Sequence, residues 1–285
     1  MTAAQRPAAV HVLRRRGSHP PLLLVAAPDV NALGYVALAR ALGAAESATV
    51  VQARAGTRPG EERRPPREYD PEEQRAMASS CLEAARAVEP RGPYFLAGMC
   101  DGAHVAFEMA RQLEAHGEHV ALLAMLDTWP VENTAYYPLV RLDGLLRRWR
   151  RASGPERLRL LARSARSLTL TGKDADGRQA EVDDDQRRWR ARVWPGPSFV
   201  PSTYGGRITV LRTARQPYWR IRDEALGWRE RTTQPVELHI VPGDHVSLLR
   251  EPHVTAVAGT LTSCLHAARA AARAPAPGAT RRSHA

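Results

Sequence analysis

The stretch Gly98-Met99-Cys100-Asp101-Gly102 decides the fold, because it sets a cysteine between two glycines at the end of an apolar run. Residues 93–97 predict a short buried strand and residues 103–113 predict a helix. A strand that turns directly into a helix brings its backbone close to itself, so side chains flanking the tip would clash. Cys100 would lie at a helix N-terminus, where the dipole favours a thiolate. The stretch therefore predicts a nucleophile elbow that carries cysteine.

Two further residues, Asp127 and His245, each follow a predicted strand, and their order along the chain is informative. Asp127 comes directly after the apolar run 120–126, and His245 follows the strand 236–241 and a turn. Nucleophile, acid and histidine, each just beyond a strand, is the chain order of the α/β-hydrolase triad. Asp223 is the nearest competing carboxylate, but it lies well past its strand. We predict Cys100, His245 and Asp127 as the catalytic residues.

Strands and helices alternate along most of the chain. Further strands are predicted at 22–25, 48–52 and 208–211, and further helices at 35–42 and 71–88. Uninterrupted apolar strands are typical of a parallel sheet that is buried on both faces. The pattern predicts an α/β fold of the α/β-hydrolase type, mostly parallel, with helices on both faces.

The composition divides the chain into one catalytic domain and its flanks. Residues 1–19 are polar and basic and predict a flexible N-terminus, and the domain itself is predicted over 20–266. Alternation stops at about 130–204, where arginine-rich helical patterns predict a lid insertion, with surface decoration as the alternative. Residues 267–285, rich in Ala, Arg and Pro, predict a disordered tail.

Residues 94–102 with the following helix up to Asp127, and residues 242–253, resemble the thioesterase domains of polyketide synthases and nonribosomal peptide synthetases. The resemblance covers about 20–127 and 205–266. It implies the α/β-hydrolase fold, a lid, and the triad acid at Asp127. It also implies a substrate carried as a thioester on the phosphopantetheine of a carrier protein. The chain departs from the usual pattern by having cysteine as the nucleophile.

The expected oxyanion hole is a second departure from the usual pattern of these thioesterase domains. One donor is expected to be the backbone N–H of Asp101, just after the nucleophile. The other should come from the loop after the first strand, where Pro28 takes the donor position and has no N–H. Either the loop shifts so that Ala27 or Asp29 donates, or the hole is incomplete. We predict Ala27, because losing one donor costs roughly 2.7–4 kcal/mol in a serine protease.

The formal net charge of +11 fits two kinds of partner. A basic protein can bind nucleic acid, but the arginines are spread out and no recognition helix is evident. Carrier proteins of the resembling pathways are typically acidic, so we predict an acyl or peptidyl carrier protein and no nucleic acid. The chain has no run of eighteen apolar residues and no signal core, which predicts a cytoplasmic protein without membrane contact.

The three cysteines, Cys81, Cys100 and Cys264, do not form a plausible disulfide framework. No CxxC or Cys/His spacing suggests zinc, so we expect neither a metal nor a bound cofactor. Cys81 and Cys264 lie in helical patterns and are predicted to be packing residues.

Three functions remain open from the sequence. The first is a thioesterase-like enzyme of natural-product biosynthesis that loads an acyl or peptidyl chain onto Cys100 and releases it by hydrolysis, cyclisation or aminolysis. The second is an acyltransferase or aminoacyl transferase that shuttles the group between carrier proteins. The third is a non-catalytic carrier-binding module, against which the retained His245, Asp127 and elbow glycines argue.

Overall fold

The computed structural model describes residues 7–15, 19–28, 34–43, 45–54, 71–131, 153–154, 202–216 and 223–273. These ranges hold a seven-stranded sheet and four α-helices. The strands are β1 (Ala9–Arg14), β2 (Leu22–Ala26), β3 (Ala48–Gln52), β4 (Tyr94–Met99), β5 (Val120–Leu126), β6 (Thr209–Thr213) and β7 (Glu237–Val241). The helices are α1 (Gly34–Ala41), α2 (Pro71–Val88), α3 (Asp101–Ala115) and α4 (His253–Arg273). Almost all of the predicted lid lies outside the described residues.

The strands are ordered β1-β3-β2-β4-β5-β6-β7. All neighbours from β3 to β7 are parallel, and β1 runs antiparallel to β3. This confirms the predicted α/β-hydrolase type of sheet. Because parallel strands present their carboxyl ends at one edge, the residues that follow β4, β5 and β7 meet there.

Two apolar layers cover the sheet. Side chains of α2 and α3 pack on one face together with Leu23, Leu96 and Met125. Side chains of α1 and α4 pack on the other face with Leu24, Phe95 and Leu126. All five residues of β2 are buried, as expected for a central strand covered on both sides. In the part of the chain that the structure describes, every helix is too short or too polar to span a bilayer.

The prediction of a flexible N-terminus over 1–19 is wrong for Ala9–Arg14, which form β1. Backbone pairing at a sheet edge needs no apolar face, so a polar, basic strand with Val10 and Val12 suffices. The Arg14 guanidinium also donates to the carbonyl oxygen of Leu42 at 2.8 Å, which anchors the end of β1 to the residue that follows α1.

The predicted tail begins too early, because α4 continues to Arg273. Alanine-rich sequence favours helix, and Arg269 gives this part of the helix a buried anchor. Its guanidinium lies 2.7 Å from the buried carboxylate of Glu46 and over the ring of Phe95. Residues 274–285 lie outside the described part of the chain.

Candidate active site

The elbow at Cys100 forms as predicted. β4 ends at Met99, α3 begins at Asp101, and Cys100 between them has φ 53° and ψ −138°. A left-handed φ in a residue with a side chain costs on the order of 1–3 kcal/mol, so the surroundings must hold it. A Cβ at Gly98 would lie 2.6 Å from the carbonyl oxygen of Gly102, and one at Gly102 would lie 2.3 Å from that of Val25. Both positions therefore require glycine.

Two buried hydroxyl groups hold the strained turn. The Cys100 N–H donates to Thr128 Oγ1 at 2.8 Å, and the same hydroxyl donates to the carbonyl oxygen of Leu126 at 2.8 Å. On the other side, the Met99 N–H donates to the Tyr35 hydroxyl at 3.0 Å. Tyr35 in turn donates to Val25, at the end of β2. The backbone on both sides of the sulfur is thus fixed to neighbouring strand ends.

Cys100, His245 and Asp127 meet in one chain of contacts. The Cys100 Sγ lies 2.7 Å from His245 Nε2. His245 Nδ1 lies 2.8 Å from the carbonyl oxygen of Asp127 and 3.2 Å from its Oδ2. With its proton on Nδ1, the ring donates to Asp127 and presents Nε2 to the sulfur. This is the geometry of a nucleophile, a base and an orienting acid.

The Asp127 carboxylate is fully buried, and Oδ1, the oxygen that does not face His245, accepts three hydrogen bonds. Oδ1 accepts from the Thr213 N–H at 2.7 Å, the Thr213 hydroxyl at 3.0 Å and Gln216 Nε2 at 2.8 Å. These donors come from the end of β6, and the Asp127 N–H bonds back to Leu211 in that strand. The carboxylate is therefore locked with Oδ2 toward His245.

The protonation states follow from these contacts. Burial opposes ionisation of Asp127, but hydrogen bonds from His245, Thr213 and Gln216 outweigh it and lower the pKa of the carboxyl group. Burial likewise opposes charge on His245, but its bonds with Asp127 and Cys100 raise its pKa to about 10. A protonated imidazole in contact with a sulfur atom stabilises the thiolate. The site therefore favours a protonated His245 in contact with the Cys100 sulfur.

Asp223, the competing carboxylate, is not one of the three residues in this series of contacts. Asp223 accepts a hydrogen bond from the Gly227 N–H and pairs with Arg229 at 2.7 Å. These contacts close the turn that precedes the short 3-10 helix Trp228–Arg231. Asp223 is accounted for by local structure, and Asp127 is the carboxylate that contacts His245.

The predicted oxyanion donors lie on adjoining segments. Ala27 follows β2, and Asp101 opens α3. A Cβ on Gly102 would touch Val25 and lie 3.3 Å from the Ala26 Cα, so the start of α3 packs directly against the end of β2. Ala27 is the residue after this packed end of β2, and its N–H stays the predicted second donor beside that of Asp101. Asp29, the other donor considered, lies outside the described residues.

The neighbouring aromatic and histidine residues line the site. The Trp129 ring lies 5.4 Å from the His245 ring, between centroids, and is buried. His104 Nε2 lies 2.8 Å from the carbonyl oxygen of Trp129, and its ring approaches Trp228. His104 thus holds the segment after Asp127.

Four supporting residues were missed by sequence reasoning, namely Tyr35, Thr128, Thr213 and Gln216. Thr213 ends β6 and Gln216 follows it, and both donate to the Asp127 carboxylate. Thr128 immediately follows the acid and bridges it to the elbow. A polar side chain directly after a triad residue was the available signal.

The comparisons with known proteins identify the family of this chain. The thioesterase domain family model matches residues 31–265. The chain belongs to the thioesterase domain family. It is 28% identical over 282 residues to the chondramide synthase of Chondromyces crocatus, covering 90% of this chain and 7% of that protein. It is 30% identical over 211 residues to a non-reducing polyketide synthase of Pseudevernia furfuracea, covering 67% of this chain and 10% of that protein.

Solved thioesterase domains share the fold. The Vlm2 thioesterase domain carrying 2,3-diaminopropionic acid and bound with a dodecadepsipeptide matches with a TM-score of 0.55 and 25% identity, over 89% of this chain and 96% of that one. The NocB thioesterase domain, in covalent complex with a fluorophosphonate nocardicin G analogue, has a TM-score of 0.55 and 24% identity over 90% of this chain and 99% of that one. This thioesterase domain spans a tenth or less of the two synthases above.

Proposed function

We propose that this thioesterase domain takes an acyl or peptidyl chain from a carrier-protein thioester onto Cys100 and then releases it. The observation that carries the proposal is the contact between the Cys100 sulfur and His245 Nε2 at 2.7 Å, on a strained elbow. A cysteine kept only for packing would need neither the strain nor the histidine. The product is one of natural-product biosynthesis.

Loading begins at the Cys100–His245 ion pair. The thiolate attacks the carbonyl carbon of the bound thioester, and the N–H groups of Asp101 and Ala27 stabilise the tetrahedral oxyanion. As the carbon–sulfur bond to pantetheine breaks, His245 gives its proton to the leaving thiolate, which departs as the thiol. Asp127 keeps the imidazole oriented and compensates its charge during this step. The result is an acyl-Cys100 thioester and a free carrier thiol.

Release uses the same residues in reverse. Neutral His245 accepts the proton of the acceptor as the acceptor attacks the acyl-Cys100 carbonyl. Collapse of the intermediate expels the Cys100 thiolate and restores the ion pair. Because loading exchanges one thioester for another, it is nearly isoenergetic, and the acyl-cysteine stays reactive. This chemistry favours transfer to an amine or another thiol over slow hydrolysis.

An acyl or peptidyl carrier protein is the proposed partner. The matched relatives are synthases of the polyketide and nonribosomal peptide kinds. The net charge of +11 suits an acidic partner, because complementary charge speeds association. Phosphopantetheine then belongs to the substrate and not to this chain.

Incubation with acyl-loaded carrier protein, and separately with an N-acetylcysteamine thioester, tests the proposal. Intact-protein mass spectrometry is expected to show one acyl adduct on the wild type and none on Cys100→Ala. Cys100→Ser is expected to load but to turn over more slowly, or to shift the product toward hydrolysis. If the serine variant transferred to amines or thiols faster than the wild type, the thioester argument would fail.

The same incubation separates the alternatives. Adding a second, unloaded carrier protein and finding the acyl group on it would establish the shuttling transferase instead. Absence of any adduct, together with ordinary Cys100 reactivity toward iodoacetamide, would leave a non-catalytic carrier-binding module. A released free acid, cyclic product or amide supports the proposed releasing enzyme.

A further inference from the structure

A second cluster of reactive side chains lies at the opposite end of the sheet from Cys100. Glu237 and His239 are two residues apart at the start of β7, so both point to the same face of that strand. Cys264 of α4 packs against this face. β7 rises about 3.3 Å per residue, so Glu237 lies roughly 13 Å from Val241, beyond which the His245 loop begins. The two clusters are therefore separate.

The donor atoms of this cluster converge. His239 Nε2 lies 2.9 Å from Glu237 Oε1 and 3.4 Å from Cys264 Sγ. One ligand atom from each of the three residues lies within 4.8 Å of the others. A tetrahedral Zn²⁺ at about 2.0–2.3 Å from each ligand separates them by about 3–4 Å. The side chains need to spread only slightly to surround such an ion.

The surroundings suit a cation with one open coordination position. Thr209 Oγ1 donates to Glu237 Oε2 at 3.3 Å, which leaves the other carboxylate oxygen to face His239. Such an outer hydrogen bond orients a metal ligand. Glu237 and Cys264 also line a cavity of about 380 Å³ together with Glu114 and Glu118, and this cavity gives water access to the cluster.

We propose that Glu237, His239 and Cys264 bind a divalent transition-metal ion of the Zn²⁺ type, with water from the cavity as the fourth ligand. Oxygen, nitrogen and sulfur donors together favour Zn²⁺ over Mg²⁺ or Ca²⁺, which prefer oxygen alone. Binding replaces the thiol proton of Cys264 by the metal and releases that proton to solvent. The sequence does not display this cluster, because its residues come from a strand and a distant helix.

The ion would join β7 to the middle of α4. These two elements flank the segment 242–252, which contains His245. A metal at this point therefore stabilises the support of the catalytic loop without touching the triad. The proposal is independent of the reaction proposed for Cys100.

Metal titration of untagged protein in the Cys100→Ala background tests the site. That background is needed because Cys100 and His245 themselves offer a thiol and an imidazole. We expect one equivalent of Co²⁺ to give thiolate-to-cobalt charge-transfer absorption, and one equivalent of Zn²⁺ to abolish it. Adding Cys264→Ser should remove this absorption and weaken Zn²⁺ binding by at least about tenfold. Cys81→Ser, at a buried cysteine in α2, is the matched control and should change neither result.

Thermal unfolding supplies the second readout. Zn²⁺ should raise the melting temperature of the Cys100→Ala protein, since a ligand that binds the folded state stabilises it. The shift should disappear with His239→Gln, whose melting temperature without metal reports whether it folds. The proposal is overturned if no saturable binding occurs. It is equally overturned if Cys264→Ser and His239→Gln bind Zn²⁺ as tightly as their parent.

Discussion

Cys100 and Cys81 are the same residue type in two very different regions of one domain. Cys81 lies inside α2 among apolar side chains, fully buried, and burial raises the pKa of its thiol to about 12. Cys100 lies on the strained turn between β4 and α3, partly exposed, with its sulfur against His245. The first environment keeps a thiol neutral and the second supplies a cation beside it. The backbone turn and the histidine, rather than the cysteine, create the nucleophile.

The two regions also differ in what holds them. Around Cys81 the support is apolar packing, which a similar volume can replace. Around Cys100 the support is a pair of hydrogen bonds that the elbow backbone donates to the hydroxyl groups of Thr128 and Tyr35. Asp127 itself has a left-handed φ of 47°, so both Cys100 and the acid carry backbone strain. Strain held by polar contacts is expected to make this region sensitive to small changes.

The largest expected contrast is between Cys100→Ala and Cys81→Ser. The first removes the attacking atom, so turnover of an acyl thioester should fall to the level without enzyme. The second should keep turnover within about twofold while lowering stability by about 1–3 kcal/mol, since a hydroxyl enters an apolar layer. Steady-state kinetics and urea unfolding of both variants check this. Loss of activity in Cys81→Ser at a temperature where it remains folded would break the comparison.

The next largest effect is expected from Asp127→Asn. An amide cannot hold the imidazole in the same way, and the equivalent change in a serine protease lowers kcat by about 10⁴. We expect a fall of about two to four orders of magnitude in kcat, because a thiol depends less on its base. Asp223→Asn, at a carboxylate that caps a turn, is the control and should change kcat little. The reverse ranking would move the acid to Asp223.

A smaller effect is expected from Thr128→Val. The variant keeps the shape but leaves the Cys100 N–H without its acceptor, which costs about 1–3 kcal/mol. We expect kcat to fall by about tenfold with little change in KM, because the elbow loosens while the substrate surface stays intact. Thr128→Ser should restore the rate. A wild-type rate in Thr128→Val together with a loss in Thr128→Ser would mean that the methyl group, and not the hydroxyl, matters.

The smallest effect concerns pH and stability. The pKa of His245 rises from 6.5 to about 10 on folding, so its protonated form stabilises the folded state. This contribution is complete below pH 6.5 and is lost as the pH rises toward 10. Denaturant unfolding at pH 6, 8 and 10 should show a stability gap between wild type and His245→Gln that shrinks with pH. A gap that is constant or grows with pH would contradict the ion pair.

Local sequence patterns were enough to predict most of the sheet. The predicted bounds of β3, β5 and α2 agree with the structure, because their apolar periods are uninterrupted. The ends of the chain were misjudged, since β1 relies on edge pairing and α4 on the Glu46–Arg269 ion pair. Both are contacts between residues far apart in sequence. Composition carries no information about them.

The candidate site likewise contains residues that the sequence predicted and residues that it did not. Cys100, Asp127 and His245 each follow a strand end, so chain order alone brought them together. Thr213 and Gln216 were missed because their role depends on β6 lying beside β5, which places them against the Asp127 carboxylate. The cluster of Glu237, His239 and Cys264 was missed for a similar reason. The sequence alone does not show which strands and helices lie next to each other.

Limited alkylation tests the central claim most directly. The folded protein is treated at pH 7 with less than one equivalent of iodoacetamide, and the modified cysteine is located by peptide mapping. We predict that the label lies on Cys100, and that its rate of attachment falls by at least about tenfold in His245→Gln, because the imidazolium that stabilises the thiolate is gone. Equal labelling of Cys100, Cys81 and Cys264, or a rate that His245→Gln leaves unchanged, would contradict a nucleophile made by its surroundings.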